Sequence, residues 1–393
     1  FNGDGLTDVL TSNTNLAVSN PGPGNPNLVR SITTGSGAIV SAEYTPSSRW
    51  ANDYLPNLVH AVTKLSVSDG RGGPAAVTDY AYSGGKYDPK ARRFLGFRTV
   101  VEIRPAAVGE TGRPVVETTY RQDLASYGLV QWRSEKDGAG VIRRNSTETY
   151  VVNATTKPYW VQNTATDTAF TENIGLGWKV ERSFDAYNNV VEIKDYGRPA
   201  VAGDEIWTRR FFAPNTSAYI VSLPRAELVH SGLDTSAPYV SYGHSFYDGN
   251  HTDNGAPPTK GNVTWAHAYT NTTTHASVNE YFTYDSFGNK IAAVDGAGHR
   301  AEWDYDATFR LYPVTERGPK YFATGGQPAD ARFVSTATYD VVCGAPATQT
   351  DANGIVQTFT YDAFCRPYDT AIAATGSYGK TRFENEGNPL TQA

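Results

Sequence analysis

Polar and apolar residues alternate with period two along much of the chain. In VVETTYRQ (115–122), STETYVV (146–152), NEYFTYD (279–285) and VQTFTYD (356–362) the two classes fall on opposite faces of an extended backbone, the signature of a half-buried β-strand. Short turn signals separate these runs: DGRGG (69–73), DGAG (137–140 and 295–298) and DANG (351–354). Gly and Asp adopt the backbone angles that tight turns require. Stretches of helical periodicity are scarce. The pattern predicts an all-β chain built from hairpins, with little helix.

The hairpins repeat. Aligned on Tyr-Asp, the sequence gives YDSFGN (284–289), YDATFR (305–310), YDVVCG (339–344) and YDAFCR (361–366). Asp285 and Asp306 are 21 residues apart, Asp340 and Asp362 are 22 apart, and an Asp-x-x-Gly turn lies between the members of each pair. Degenerate copies stand earlier as FDAYNN (184–189) and FYDGN (246–250). The candidate structural residues are therefore Tyr284, Asp285, Gly288, Tyr305, Asp306, Tyr339, Asp340, Tyr361 and Asp362. A hairpin of about 20 residues cannot bury an apolar face alone, so consecutive units must join in one sheet. In such a unit the Tyr ring would cover its neighbour and the Asp carboxylate would accept backbone N–H groups of the turn.

Composition narrows the function. Tyr is abundant at 25 residues, with 37 Gly and 22 Pro, as a turn-rich β protein requires. The net charge of -6 argues against a nucleic-acid partner; the densest basic run, KARR (90–93), reads as a solvated turn. No apolar run approaches the roughly 20 residues of a membrane helix. Among 393 residues there is no Met, so the sequence is expected to be a piece of a longer chain, with a true N-terminus upstream and repeats still running at Ala393.

Catalytic signatures are missing: no HExxH, Walker loop, GxSxG elbow or GxGxxG fingerprint occurs. The chain is expected not to be an enzyme. His267 and His275 stand in a Thr/Asn-rich stretch without acidic or Cys partners at ligand spacing and are expected at the surface. The acid pair Asp304 and Asp306 is read as structural. The opening NGDGLTD offers oxygen ligands at alternate positions, Asn2, Asp4, the Leu6 carbonyl and Asp8, with Gly5 at the sharp turn. That spacing suits calcium in the intact protein, with a first acid expected just before Phe1; the competing reading is a hairpin turn that needs no metal. Cys343 and Cys365 hold the same phase of adjacent units. If equivalent positions lie two strands apart they are separated by about 9.5 Å, beyond the ~7 Å that a disulfide spans. Two free thiols are expected.

The spaced YDSFGN and YDAFCR units, with DGAG and DANG between them, resemble the YD repeats of the Rhs family and of teneurins. Upstream, EYTPSS (43–48), LPN (55–57), VSDGRGG (67–73) and YSGGKYDPKARRFLGFRTV (82–100) resemble the segment that joins a propeller to the YD shell in the B component of bacterial ABC (Tc) insecticidal toxin complexes. The opening loop is similar to the Asp-rich loops of the preceding propeller. The resemblance divides the chain into the tail of an FG-GAP/VCBS-like propeller blade (1–40), a joining β domain with the RRFLGF block (41–180) and a YD-repeat β-spiral, the start of a hollow shell (181–393).

What the resemblance implies is a secreted, extracellular, non-catalytic shell segment. Such a shell encapsulates a C-terminal toxin cargo, is completed by the rest of the full-length chain, and docks to an A-type translocation component. The autoprotease of Rhs shells uses paired Asp-Pro-x-Gly motifs; the one Asp-Pro here, Asp88-Pro89, is followed by Lys90 and Ala91 and does not match. Two other readings compete: a teneurin-like cell-surface adhesion scaffold, and a carbohydrate-binding β-solenoid. The latter wants a ladder of exposed Trp, and the seven Trp show no fixed spacing.

Overall fold

The structure is a computed structural model. It describes the chain except residues 1–8, 12–15, 19–27, 111, 172–175, 200, 237, 253–254, 272–273, 275, 324–325, 374 and 381–393. The described residues form β-strands and turns, with two single-turn 3-10 helices at Ser47–Arg49 and Pro319–Tyr321 and no α-helix. The chain divides into two compact units: Phe1–Phe184 with Glu192–Ile206, and Asp185–Val191 with Trp207–Ala393.

The first unit is an antiparallel meander. Its strands Ser31–Thr33, Ile39–Pro46, His60–Ser68, Ala76–Ser83, Thr99–Ile103, Val115–Tyr120, Val130–Lys136, Ile142–Asn153, Trp160–Phe170 and Gly177–Phe184 each pair with the next in that order. A small separate sheet joins Asn52–Tyr54, Gly85–Asp88 and Arg93–Phe94. Near the start, Val9–Thr11 and Leu16–Val18 pair as a hairpin.

The second unit repeats the plan. Ile206–Phe212, Pro224–His230, Tyr239–Tyr247, Val263–Asn271, Ala276–Tyr284, Lys290–Val294, Arg300–Tyr305, Pro313–Arg317, Val334–Asp340, Ala345–Thr350, Val356–Tyr361, Pro367–Ile372 and Ser377–Lys380 also pair strictly in sequence. Local pairing follows from the turn spacing where a four- or five-residue loop returns a strand beside the one it left, and strands on either side of longer connections, such as 318–333, pair in sequence as well.

Deep burial is sparse. The buried apolar side chains among the described residues are Leu95, Phe97 and Val116 in the first unit, and Trp207, Ala226, Phe246 and Ala292 in the second. Most other apolar side chains are half-buried. Cohesion in such a sheet rests on the backbone ladder and on what happens at the turns.

Candidate functional site

Six turns in the two units share one geometry. The first residue is Asp137, Asp185, Asp285, Asp295, Asp351 or Asp362. One carboxylate oxygen accepts the N–H of the third residue (Ala139, Tyr187, Phe287, Ala297, Asn353, Phe364) and of the fifth (Val141, Asn189, Asn289, His299, Ile355, Arg366), all at 2.8–3.0 Å. The Asp carbonyl accepts the N–H of the fourth residue, which is left-handed in every case: Gly140, Asn188, Gly288, Gly298, Gly354 and Cys365. This is the three-residue hairpin loop with its left-handed bulge residue. Tyr-Asp and Asp-x-x-Gly, two signals in the sequence, are one device in the fold.

Two repeat units depart from it. Asp306 caps a longer turn: its carboxylate accepts the N–H of Tyr312, Phe309, Leu311 and Thr308. The Tyr312 bond leads in holding this carboxyl down at about 2. Asp340 accepts from Val342 and Cys343. In the degenerate copy, Asp248 reaches across a long loop to the N–H groups of Thr259, Lys260, Gly261 and Asn262.

Each repeat tyrosine sits immediately after a register shift. The breaks fall at Thr283/Tyr284, Asp304/Tyr305, Thr338/Tyr339 and Thr360/Tyr361, and the same break precedes Tyr247, Tyr150, Tyr120 and Tyr44. A bulge adds one residue to one strand and bends it locally. The bulged Tyr then pairs with the start of the returning strand: Tyr284 with Lys290, Tyr305 with Pro313, Tyr339 with Pro346. The carbonyl of that partner accepts the hydroxyl of the following tyrosine, in Tyr305 to Lys290 (3.2 Å), Tyr339 to Pro313 (3.1 Å) and Tyr361 to Pro346 (2.8 Å). The result is a relay from unit to unit. Tyr150 makes the same bond to Val130, the partner of Tyr120, at 2.7 Å.

Neighbouring Tyr-Asp turns are also laced directly. Asn289 donates its side-chain amide both to Asp285 (3.0 Å) and to the carbonyl of Arg310 in the next turn (2.7 Å). Tyr312 then stacks on Tyr339, ring centroids 4.6 Å apart. The third link corrects an expectation: Cys343 and Cys365 are not free thiols but a disulfide, with Cα atoms 5.1 Å apart. The two-strand spacing applies to ladder positions, and both cysteines lie in turns. Cys343 leads into Ala345–Thr350 and Cys365 follows Val356–Tyr361, and those strands are adjacent, so one strand spacing separates them.

The RRFLGF block of the first unit forms its tightest core. Leu95 is 2% exposed, and Trp50, Tyr82, Phe94 and Phe97 pack with centroids 4.9–5.6 Å apart. Burial, with Tyr80 and Tyr120 nearby, pushes the Tyr82 phenol up to about 12. Gln122 donates its amide to the carbonyls of Gly84 (2.6 Å) and Gly96 (2.8 Å), pinning the block to the main sheet. Lys90, Ala91 and Arg92 lie in a turn closed by Ala91 N–H on Asp88 at 2.7 Å, and Arg93 opens the strand Arg93–Phe94.

A ring-lined face in the second unit escaped the sequence reading. Phe246 stacks on Trp265 (4.3 Å, 10° between planes), His244 stacks on Phe246 (4.3 Å), and Trp265 lies parallel to Tyr281. His267 is not a surface histidine; it is half-buried, opposite His244 in register and 5.2 Å from Trp265. The missed signal was period-two placement of rings, at 242, 244 and 246 and at 265, 267 and 269. His275 lies outside the described residues, as do Asn2, Asp4, Leu6 and Asp8 of the opening loop. Asp304 forms an ion pair with Arg317 at 2.6 Å, away from the Asp306 turn bonds. No group of three or more His, Cys, Asp or Glu among the described residues could hold a metal ion.

Residues 1–128 match the family described as the insecticide toxin TcdB middle/N-terminal region. Among solved structures, TcdB2-TccC3 without its hypervariable C-terminal region aligns over 89% of this chain with a TM-score of 0.64 and 14% identity. TcdB2-TccC3 itself gives 0.62 at 13% identity, and a Photorhabdus luminescens Tc holotoxin pore 0.62 at 14%. The resemblance to Tc toxin B components therefore stands. It rests on sequence over the first third and on fold over most of the chain. The chain spans about a quarter of the length of those structures. No curated protein matches it. No helix among the described residues is long and apolar enough to cross a membrane, which says nothing of strands.

Proposed function

We propose that this chain is a stretch of the wall of a hollow β-shell, part of a longer secreted protein that encloses a toxic C-terminal segment and works with an A-type translocation component. The observation that carries the reading is the turn edge of the second unit, where each of the four Tyr-Asp turns from Asp285 to Asp362 is tied to the next by the tyrosine relay and by an amide, a ring stack or a disulfide. A sheet held together at its edges and along its ladder has no need of a second packed layer, so a face is left free to line a cavity. The TcdB2-TccC3 structures, described with and without a hypervariable C-terminal region, support the same reading. The disulfide suits an oxidising, extracellular environment. We assign no catalytic role to any residue of the wall.

The test is electron microscopy of the full-length protein combined with limited proteolysis. A closed hollow particle that shields an internal C-terminal piece from protease is expected. An open or solid particle with every C-terminal site cleaved would overturn the reading.

A further inference from the structure

Between Asp285 and Asp362 the spacing of the repeat is broken once. Asp306 and Asp340 are 34 residues apart, against 21 and 22 for the flanking pairs. Most of the extra residues fall in the connection 318–333, between Pro313–Arg317 and Val334–Asp340, and the rest in the longer Asp306 turn. At the neighbouring hairpins this edge is closed by the five-residue turns 295–299 and 351–355. Connections that long without strands are uncommon in compact folds and usually functional.

This connection is tied to itself. Gly318 N–H donates to the Phe333 carbonyl (3.2 Å), Asp330 N–H to the Lys320 carbonyl (3.2 Å) and Phe333 N–H to the Asp330 carbonyl (3.1 Å). The Arg332 guanidinium clasps the Asp330 carboxylate at 2.6–3.1 Å. With His299 of the adjoining turn its described residues border a half-open cleft of about 900 Å³, lined by Phe322, Phe333, Pro319 and Pro328, with the exposed Lys320 and Arg332 at its polar side. That volume lies in the range of small-molecule sites, which pair apolar walls with a few polar groups.

The charges choose the ligand. Asp330 is the one acid among the described residues of the wall, and Arg332 holds its carboxyl down at about 2, so that pair is neutral as a unit. His299 is engaged by Asp295 at 3.0 Å. Lys320 has no carboxylate partner among the described residues; its ammonium lies 5.0 Å from the centre of the Phe333 ring. Two phenyl rings, two prolines and one uncompensated cation form a receptor for one negative charge on an apolar body.

We propose that the cleft beside Lys320 is a binding site for an organic monoanion, an aromatic or aliphatic carboxylate or sulfonate, with Lys320 holding the anion and Phe322 and Phe333 flanking its apolar part. The site is distinct from the wall function and does not depend on it. The probe is 1-anilinonaphthalene-8-sulfonate, titrated by fluorescence into the full chain and displaced by 3-phenylpropionate or by its neutral analogue 3-phenylpropanol. Saturable binding is expected, displaced at least tenfold more effectively by the acid than by the alcohol. Lys320→Gln should weaken binding about tenfold, Lys320→Arg should restore most of it, and Lys290→Gln, beside a ring elsewhere in the unit, should leave it unchanged. Absence of saturable binding, equal displacement by acid and alcohol, or unchanged affinity in Lys320→Gln with circular dichroism intact would overturn the proposal.

Discussion

The hydroxyl of Tyr361 donates to the carbonyl oxygen of Pro346 at 2.8 Å, and Pro346 is the residue that Tyr339 faces across the preceding turn. Proline brings no N–H to the ladder but keeps its acceptor, and the bulge beside it sets the local register in which a ring from the next hairpin can reach that acceptor. Removing only the hydroxyl isolates the bond. Tyr361→Phe should destabilise the second unit by about 1 kcal/mol, read as a shift in denaturant midpoint with unchanged slope. An effect within error would mean that the ring, and not the bond, is what matters.

The Asp306 turn predicts an acid response with a definite sign. Its carboxyl is held at about 2, below its ordinary 3.8, first by the Tyr312 N–H and then by its other backbone donors. A depressed carboxyl contributes stability that is fully present above its unfolded value and is lost as pH falls through the folded one. Thermal stability should therefore drop between about pH 4 and pH 2, and Asp306→Asn should flatten that part of the profile while lowering stability at pH 7. A profile of the same steepness in the variant would count against the turn as its source.

The disulfide is open to direct chemistry. Asp-N digestion cuts before Asp340, Asp351 and Asp362 and puts Cys343 and Cys365 in separate peptides; these should appear as one cross-linked mass without reductant and separate with it. Replacing both by Ser should cost about 3 kcal/mol, the loop-entropy value for a closed loop of this order. Full alkylation of two thiols in the unreduced native protein would show that the bond does not form.

Gly85 marks the tightest approach in the RRFLGF core. A Cβ there would clash with Asn52 Oδ1, lie 2.9 Å from Leu55 Cδ2 and 3.1 Å from the Phe97 ring. Gly85→Ala should cost roughly 1–3 kcal/mol by overpacking. Gly35→Ala, which meets open space at an ordinary backbone angle, should stay within about 0.5 kcal/mol of the parent. Equal effects at the two sites would contradict the packing described.

The all-β fold and the Tyr-Asp repeat were legible because both depend on local periodicity: alternation fixes strands, and Asp with Gly or Asn three residues on fixes a turn. The tyrosine relay was not, because it needs the register, and the register depends on a bulge that no residue type announces. Phase alone misled at Cys343 and Cys365, where ladder spacing was applied to residues that sit off the ladder. The ring face failed differently. Its rings alternate plainly in sequence, but His267 was weighed by its Thr/Asn-rich flank instead of by the residues two before and two after it. The loop 318–333 was visible only as a gap of 34 where 21 or 22 was due.

The lacing of alternate turns has a mechanical consequence. A plain meander pulled from its end peels one strand at a time, each strand breaking only its own ladder. Here the ties join every second connection, so the element that comes away under load is a whole hairpin. A released repeat of 21 residues would lengthen the chain by roughly 70 Å at about 3.4 Å per residue, and the step across Cys343 and Cys365 would be absent until that bond is reduced. Force spectroscopy would read the repeat as a ruler, with one graduation locked by sulfur.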